Sequence, residues 1–231
     1  MPMDYYEQKQ FLGEVDKQDK IIGQIEKWEA HKNGILHRGY TCILTYQYKV
    51  LLQHRKHPVF DGVFDLSFSS HPILLNQQKT KNILSFSRHA YRQAGKRESG
   101  RKNGSLIPTS PIGYDGRGRS GMTKNEQHEK IGLQSMDEAI YAGLKREWNI
   151  EQKQIKAKPK FLKKIYYKAK DPQSNFTEHE IDYIYSVELR KPPTPNYDFA
   201  YGFSIVNRKQ ITDYRLPLSP WVKVIINEKL I

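Results

Sequence analysis

The stretch Glu178-His179-Glu180-Ile181-Asp182-Tyr183-Ile184-Tyr185 decides how the rest of the chain is read. From Ile181 onward, aromatic and β-branched residues alternate with other side chains, which is the pattern of a β-strand. Successive strand side chains point to opposite faces, so Glu178 and Glu180 share one face and His179 takes the other. Two carboxylates held a few ångströms apart are hard to ionise together unless a cation lies between them. Working outward, three upstream histidines, His31, His37 and His71, are the candidate partners for such an ion.

The chain of 231 residues is expected to form a single domain, with 37% hydrophobic and 12% aromatic residues to build its core. Cys42 is the only cysteine, which excludes an internal disulfide framework and a multi-cysteine metal site. The start, Met1-Pro2-Met3-Asp4-Tyr5-Tyr6-Glu7, lacks the basic and apolar regions of a signal peptide. No apolar run approaches the roughly 18 residues needed to cross a bilayer. A cytoplasmic protein with no membrane partner is therefore expected.

The formal net charge of +13 is unevenly spread. Residues 76–134 hold 12 Lys/Arg against 4 Asp/Glu and 8 of the 15 glycines. This segment reads as a basic, Gly-rich insertion within the domain, with a short helix expected over Asn82–Ala94 and flexibility over Gly95–Asn125. Its charge suits either solubility or attraction of phosphates on a substrate or a nucleic acid. Tyr91 and Tyr114 are too few for a stacking surface, so the composition favours solubility.

In chain order, Ile21–Trp28 reads as a short strand leading to a turn at Asn33-Gly34. Thr41–Tyr46 and Val50–Gln53 read as a hairpin joined by Gln47-Tyr48-Lys49. Pro58 then breaks the strand, and Val63–Ser69 reads as another. Ser135, with Glu138 three residues on, predicts a capping box opening a helix to Trp148, with Asn149 able to close it in a left-handed turn. Phe161–Lys170 predicts a strand and Asp171–Asn175 a turn before the Glu178 strand. A last helix is expected over Val222–Leu230, with Ser219 as N-cap and Pro220 at the first helical position.

Five patches, in order, resemble the Nudix superfamily and within it the type I isopentenyl diphosphate isomerases. They are Ile25–His31 with Leu36–Gly39, Val50–Arg55, Ser70-His71-Pro72, Glu178–Tyr183 and Ser219-Pro220-Trp221. The resemblance implies an α/β/α sandwich with a mixed β-sheet and a Nudix helix at Asp137–Trp148. It implies that His31, His37, His71, Glu178 and Glu180 hold one divalent metal, Mn or Mg. The mixed nitrogen and oxygen donors also suit Zn. It further implies a second Mg ion near Glu147, bridging to a small-molecule diphosphate substrate contacted by Lys27 and Arg55. Tyr167 and Trp221 match aromatic positions that line the reacting carbons, and a tryptophan face can stabilise a carbocation.

Two departures from the family weigh on activity. Isomerisation adds a proton at one carbon and removes one from another, and the family uses a cysteine and the strand glutamate, here Glu180. The cysteine position is Ser69, a far weaker acid than a thiol, so slow turnover is expected. The usual Nudix box appears as Ala142-Gly143-Leu144-Lys145-Arg146-Glu147-Trp148-Asn149, with one glutamate kept and Gly143 where the isomerases have Arg. Three readings follow: an isomerase-like enzyme, a Nudix hydrolase of a diphosphate-linked substrate, and a silent binding protein whose insertion contacts nucleic acid or another partner. The insertion is also expected to act as a basic lid.

Overall fold

The structure is a computed structural model and describes residues 5–75, 132–213 and 216–231. The expected helix at Asn82–Ala94, the flexible stretch Gly95–Asn125 and the lid therefore lie outside the described residues.

One long strand organises the sheet. β3 (His37–Tyr46) lies parallel to β8 (Thr177–Glu188) along its whole length, from His37↔Glu180 to Thr45↔Glu188. Along its other edge β3 meets, in turn, β1 (Phe11–Val15), β6 (Phe68–Ser70) and β4 (Lys49–Arg55), all antiparallel. β2 (Ile21–Glu26) extends the sheet beyond β1, β7 (Lys160–Lys170) beyond β8, and β9 (Ala200–Val206) and β5 (Phe64–Asp65) border β4. Among the described residues the result is a mixed nine-stranded sheet.

Alternation sorts the strand side chains between two cores. Ile43, Val50, Leu52, Ile165 and Ile184 face the C-terminal helix α4 (Pro220–Asn227), which contributes Trp221, Val222 and Ile225. Cys42, Leu44, Leu51 and Phe68 face the opposite way, onto Ala139, Ile140, Leu144 and Trp148 of α2 (Met136–Trp148). Helices on both faces make the chain an α/β/α sandwich. α2 opens on the capping box of Ser135 and Glu138 and closes at Asn149 with φ of 52°, both as the sequence predicts. Gly143 lets α2 approach the sheet, since a Cβ there would stand 2.4 Å from the Phe68 ring and 2.6 Å from the Tyr40 hydroxyl.

The β3–β4 hairpin forms as expected, with the turn carried by Gln47 and Tyr48, both at positive φ. Several boundaries differ from the sequence reading. β2 ends at Glu26, and Lys27–Asn33 form helix α1, capped by the Glu26 carboxylate on the Glu29 amide and by Gly34 in the left-handed conformation. Seven residues are too few to show helical periodicity, and the end caps decide the structure. β1 lies in a stretch too polar to announce a strand and forms by pairing with β2. Val63–Ser69 splits into β5 and β6 because Ser67 adopts a positive φ of 70°. α4 ends at Asn227, before Lys229 turns left-handed, and not at Leu230. A further short helix, α3, spans Arg208–Asp213.

The described stretches that end at Leu75 and resume at Gly132 meet each other. Leu74 and Leu133 form an antiparallel bridge, and the Gln134 amide donates to the Ile73 carbonyl. Among the described residues no helix is long and apolar enough to cross a membrane.

Candidate metal centre

Helix α1 and the ends of β3 and β8 deliver the five sequence-predicted ligands to one place. His31 comes from α1, His37 from the start of β3, His71 from just after β6, and Glu178 and Glu180 from β8. One potential ligand atom from each lies within 4.8 Å of all the others. The three imidazole centroids are 4.9–5.1 Å apart. His31 Nε2 stands 3.1 Å from Glu178 Oε2, His71 Nε2 2.7 Å from Glu180 Oε1, and His37 Nε2 3.5 Å from the same oxygen.

The surroundings aim these atoms inward. His31 Nδ1 lies 2.6 Å from the Lys27 carbonyl and His37 Nδ1 2.7 Å from the Ile35 carbonyl. Since a carbonyl only accepts, each Nδ1 carries a proton, and in the neutral ring each Nε2 presents a lone pair to the centre. His31 Nε2, His37 Nε2 and Glu178 Oε2 are buried without a hydrogen-bond partner. Buried polar atoms with nothing to bond are costly, and a divalent cation among them would satisfy all three. The donor set therefore fits a metal, with nitrogen and oxygen ligands together.

Charge in the cluster is mutually supported. Burial works against ionising Glu180, yet contacts with His37 and His71 hold it well below the usual carboxylate range. Burial likewise opposes Glu178, and His31 lowers it. Burial pushes His71 down to about 4. The remaining Glu180 oxygen, Oε2, accepts from the Tyr167 hydroxyl at 2.6 Å.

A small recess of about 10 Å³ adjoins the cluster, and Lys27, Ser69, His71, Arg146 and Glu147 stand in its wall with Tyr5, Tyr6 and His57. Lys27 is buried, its ammonium held over the rings of Trp28, Tyr5 and Tyr6 at 4.8–5.7 Å. Burial depresses its pKa. Glu147 is not part of the His/Glu cluster and pairs with Arg146 at 2.8 Å. The structure thus brings Lys27, Ser69, His71 and Glu147 to one recess.

Arg55 and Trp221 lie apart from that wall. Arg55 donates to Asp65 Oδ2 at 3.0 Å and to the Val59 carbonyl at 3.2 Å. Its guanidinium sits 5.2 Å from the Trp221 ring. Trp221 is buried against Tyr167 and Phe60, and its indole nitrogen donates to Asp65 Oδ1.

Ser69 is linked to the strand acids through a chain invisible in the sequence. Ser69 Oγ lies 2.8 Å from Thr41 Oγ1, which donates to Asp182 Oδ2 at 2.8 Å. Burial and the neighbouring Glu180 raise Asp182 well above the ordinary carboxylate range. Cys42 cannot substitute for Ser69, because one step along β3 turns its thiol into the α2 core. Asp182 follows Glu180 by two residues, so the same alternation that pairs Glu178 with Glu180 could have found it. Arg146, whose Nη2 reaches Ser70 Oγ at 3.0 Å while Nε stays buried without a partner, carries no local signal.

The chain matches several solved structures. DR0079 from Deinococcus radiodurans matches over 94% of this chain and 98% of its own, with 13% identity and a TM-score of 0.51. RenU, a Nudix hydrolase from M. smegmatis, matches over 97% and 96%, with 11% identity and a TM-score of 0.37. What the first similarity shows is a shared fold. No family model matches the chain, and no curated protein matches its sequence.

Proposed function

We propose that the protein is a metal-dependent enzyme of the Nudix type that isomerises a prenyl diphosphate by proton transfer, in the manner of isopentenyl diphosphate isomerase. The observation that carries this reading is the convergence of three histidines, two of them buried, and two buried glutamates on one centre, with Glu180 also bonded to Tyr167. Manganese or magnesium is the expected ion, with zinc a third candidate, and when bound it would neutralise the paired carboxylates and polarise what they touch. Such a set exceeds what a simple diphosphate hydrolase needs.

The side chains have distinct tasks. Glu180 is oriented from both sides, by His71 at Oε1 and by Tyr167 at Oε2, and so holds or takes a proton at a fixed point. Ser69 stands at the recess wall with its hydroxyl tied to Thr41, and supplies the second proton-transfer position. Lys27 and Arg146 place two cations at the recess, suited to a diphosphate as point charge and fork. The recess of about 10 Å³ holds about one water, so a diphosphate enters only if the Tyr5–Tyr6 wall moves aside. The isomerisation needs no oxidant, since one proton is gained at an alkene carbon and one lost from another.

The runner-up is a Nudix hydrolase. It is weakened by the helix: of the acids in α2, Asp137 and Glu138 are exposed in its first turn and only Glu147 reaches the recess. One experiment separates the readings. Protein with manganese or magnesium is incubated with isopentenyl diphosphate in deuterated water. Deuterium in the prenyl chain is the expected result, released phosphate would favour the hydrolase, and neither would leave a binding protein.

A further inference from the structure

The face of β7 and β8 turned away from the metal centre has a composition the reaction does not use. Register places Lys164, Tyr166 and Lys168 opposite Tyr183, Ile181 and His179, and a bulge brings Phe161 opposite Tyr185. Phe161 is 47% and Tyr166 55% exposed. The rings form an array: Phe161 meets Tyr185 at 5.5 Å and Tyr183 at 6.1 Å, and the Lys164 ammonium lies 4.5 Å from the Tyr183 centroid. Beside them an open groove of about 460 Å³ runs between β7 and the β1–β2 turn, lined by Lys17, Gln18, Asp19, Lys164, Tyr166 and Ile181.

β7 is an edge strand among the described residues, pairing only with β8. Lysines on an edge guard against unwanted strand addition, a task that asks for charge alone. Exposed rings between the lysines work against that task, because they add apolar surface where it invites association. Asp19, the acid in the groove, is already engaged by Arg38, Lys164 and Tyr183, so the face remains positive. A second copy of the chain would bring like charges together. A lipid surface fits poorly, since the Tyr166 and Tyr183 hydroxyls are tied to His179 and Asp19 and the aliphatic Ile181 between them is buried.

We propose that this face binds single-stranded RNA. Bases stack on Phe161 and Tyr166 and enter the groove, while Lys17, Lys164 and Lys168 meet the phosphates, which is the combination that single-strand binding requires. RNA is favoured over DNA because the exposed Gln18 in the groove offers an amide oxygen to a 2′-hydroxyl, a donor that DNA lacks.

The test is fluorescence anisotropy of the full chain with a labelled single-stranded RNA of about 12 nucleotides, within the usual site size. Binding is expected with a slope of log K against log salt of about −2, from three phosphates at about −0.7 each. Phe161→Ala and Tyr166→Ala should each weaken it about tenfold. Lys17→Gln with Lys168→Gln should flatten the slope by about 1.4. These side chains are exposed, and thermal unfolding confirms that each variant folds. Binding that Tyr166→Ala and Phe161→Ala leave unchanged would place the contact elsewhere on the chain and overturn the proposal. Equal affinity for the matching DNA, or binding only to vesicles of anionic lipid, would overturn it as well.

Discussion

The Glu180 carboxylate lies directly over the α-carbon of Gly39, so close that a Cβ built there would stand 2.3 Å from Oε2 and 2.5 Å from Cδ. Glycine at 39 therefore makes room for the acid that His37, His71 and Tyr167 converge on. Gly39→Ala is expected to push the carboxylate off the centre without removing any ligand. Manganese affinity by calorimetry should fall about 10–100-fold, the range typical of lost support around a metal site. Unchanged affinity would show that Glu180 is not held where the geometry requires.

Metal binding should be visible as stability. At a hundredfold excess over its dissociation constant, manganese is expected to raise unfolding free energy by about 2.7 kcal/mol, and a chelator should reverse this. Glu178→Gln removes one buried ligand oxygen and should abolish most of the gain. Thermal unfolding with and without metal measures both.

Ser69→Cys tests the isomerase reading at its weakest point. A thiol ionises near pH 8.5 and a serine hydroxyl far above it, so the variant should exchange prenyl protons faster, by about tenfold or more. Deuterium incorporation is the readout. No gain would place the second proton transfer on another group.

Gly143→Ala should destabilise the fold by about 1–3 kcal/mol, the usual range for overpacking. Its Cβ would meet the buried Phe68 ring and the Tyr40 hydroxyl, and Tyr40 is itself anchored to the Ala139 carbonyl at 2.7 Å. Urea unfolding measures the loss. Gly143→Arg should be worse still, since its longer side chain would meet the same Phe68 ring and Tyr40 hydroxyl.

Acid sensitivity should include a contribution from Asp171. Burial opposes its charge, but hydrogen bonds from Ser174, Gln173 and Phe60 outweigh this and depress its pKa. A depressed carboxylate adds stability above its unfolded pKa of about 3.9, and that contribution is lost as pH falls through the folded value. Asp171→Asn should therefore lose less stability than the parent between about pH 5 and pH 2. Parallel urea curves would reveal no difference if the loop were not acid-linked.

Much of the fold was legible because its signals are local. The alternation from Ile181, the Ser135–Glu138 capping box, the left-handed Asn149 and the β3–β4 hairpin are each written within a few neighbouring residues. The five candidate metal ligands were reached through the resemblance together with that alternation, which puts Glu178 and Glu180 on one buried face. Short elements escaped, as α1 and β1 did, because a few residues carry too little periodicity to outweigh polar composition.

The sequence by itself determined the strand that presents two acids, the helix that packs beneath the sheet, and the residue types able to hold an ion. Only the tertiary structure decided which of those groups meet. Register between β3 and β8 sets His37 beside Glu180 and Thr41 within reach of Asp182, across 141 positions of chain. Packing ties Arg55 to Asp65 and Trp221 while turning Arg146 into the recess. The reason is physical: period and capping depend on near neighbours, whereas the partner of a buried charge is whatever group the closed fold leaves within a few ångströms of it.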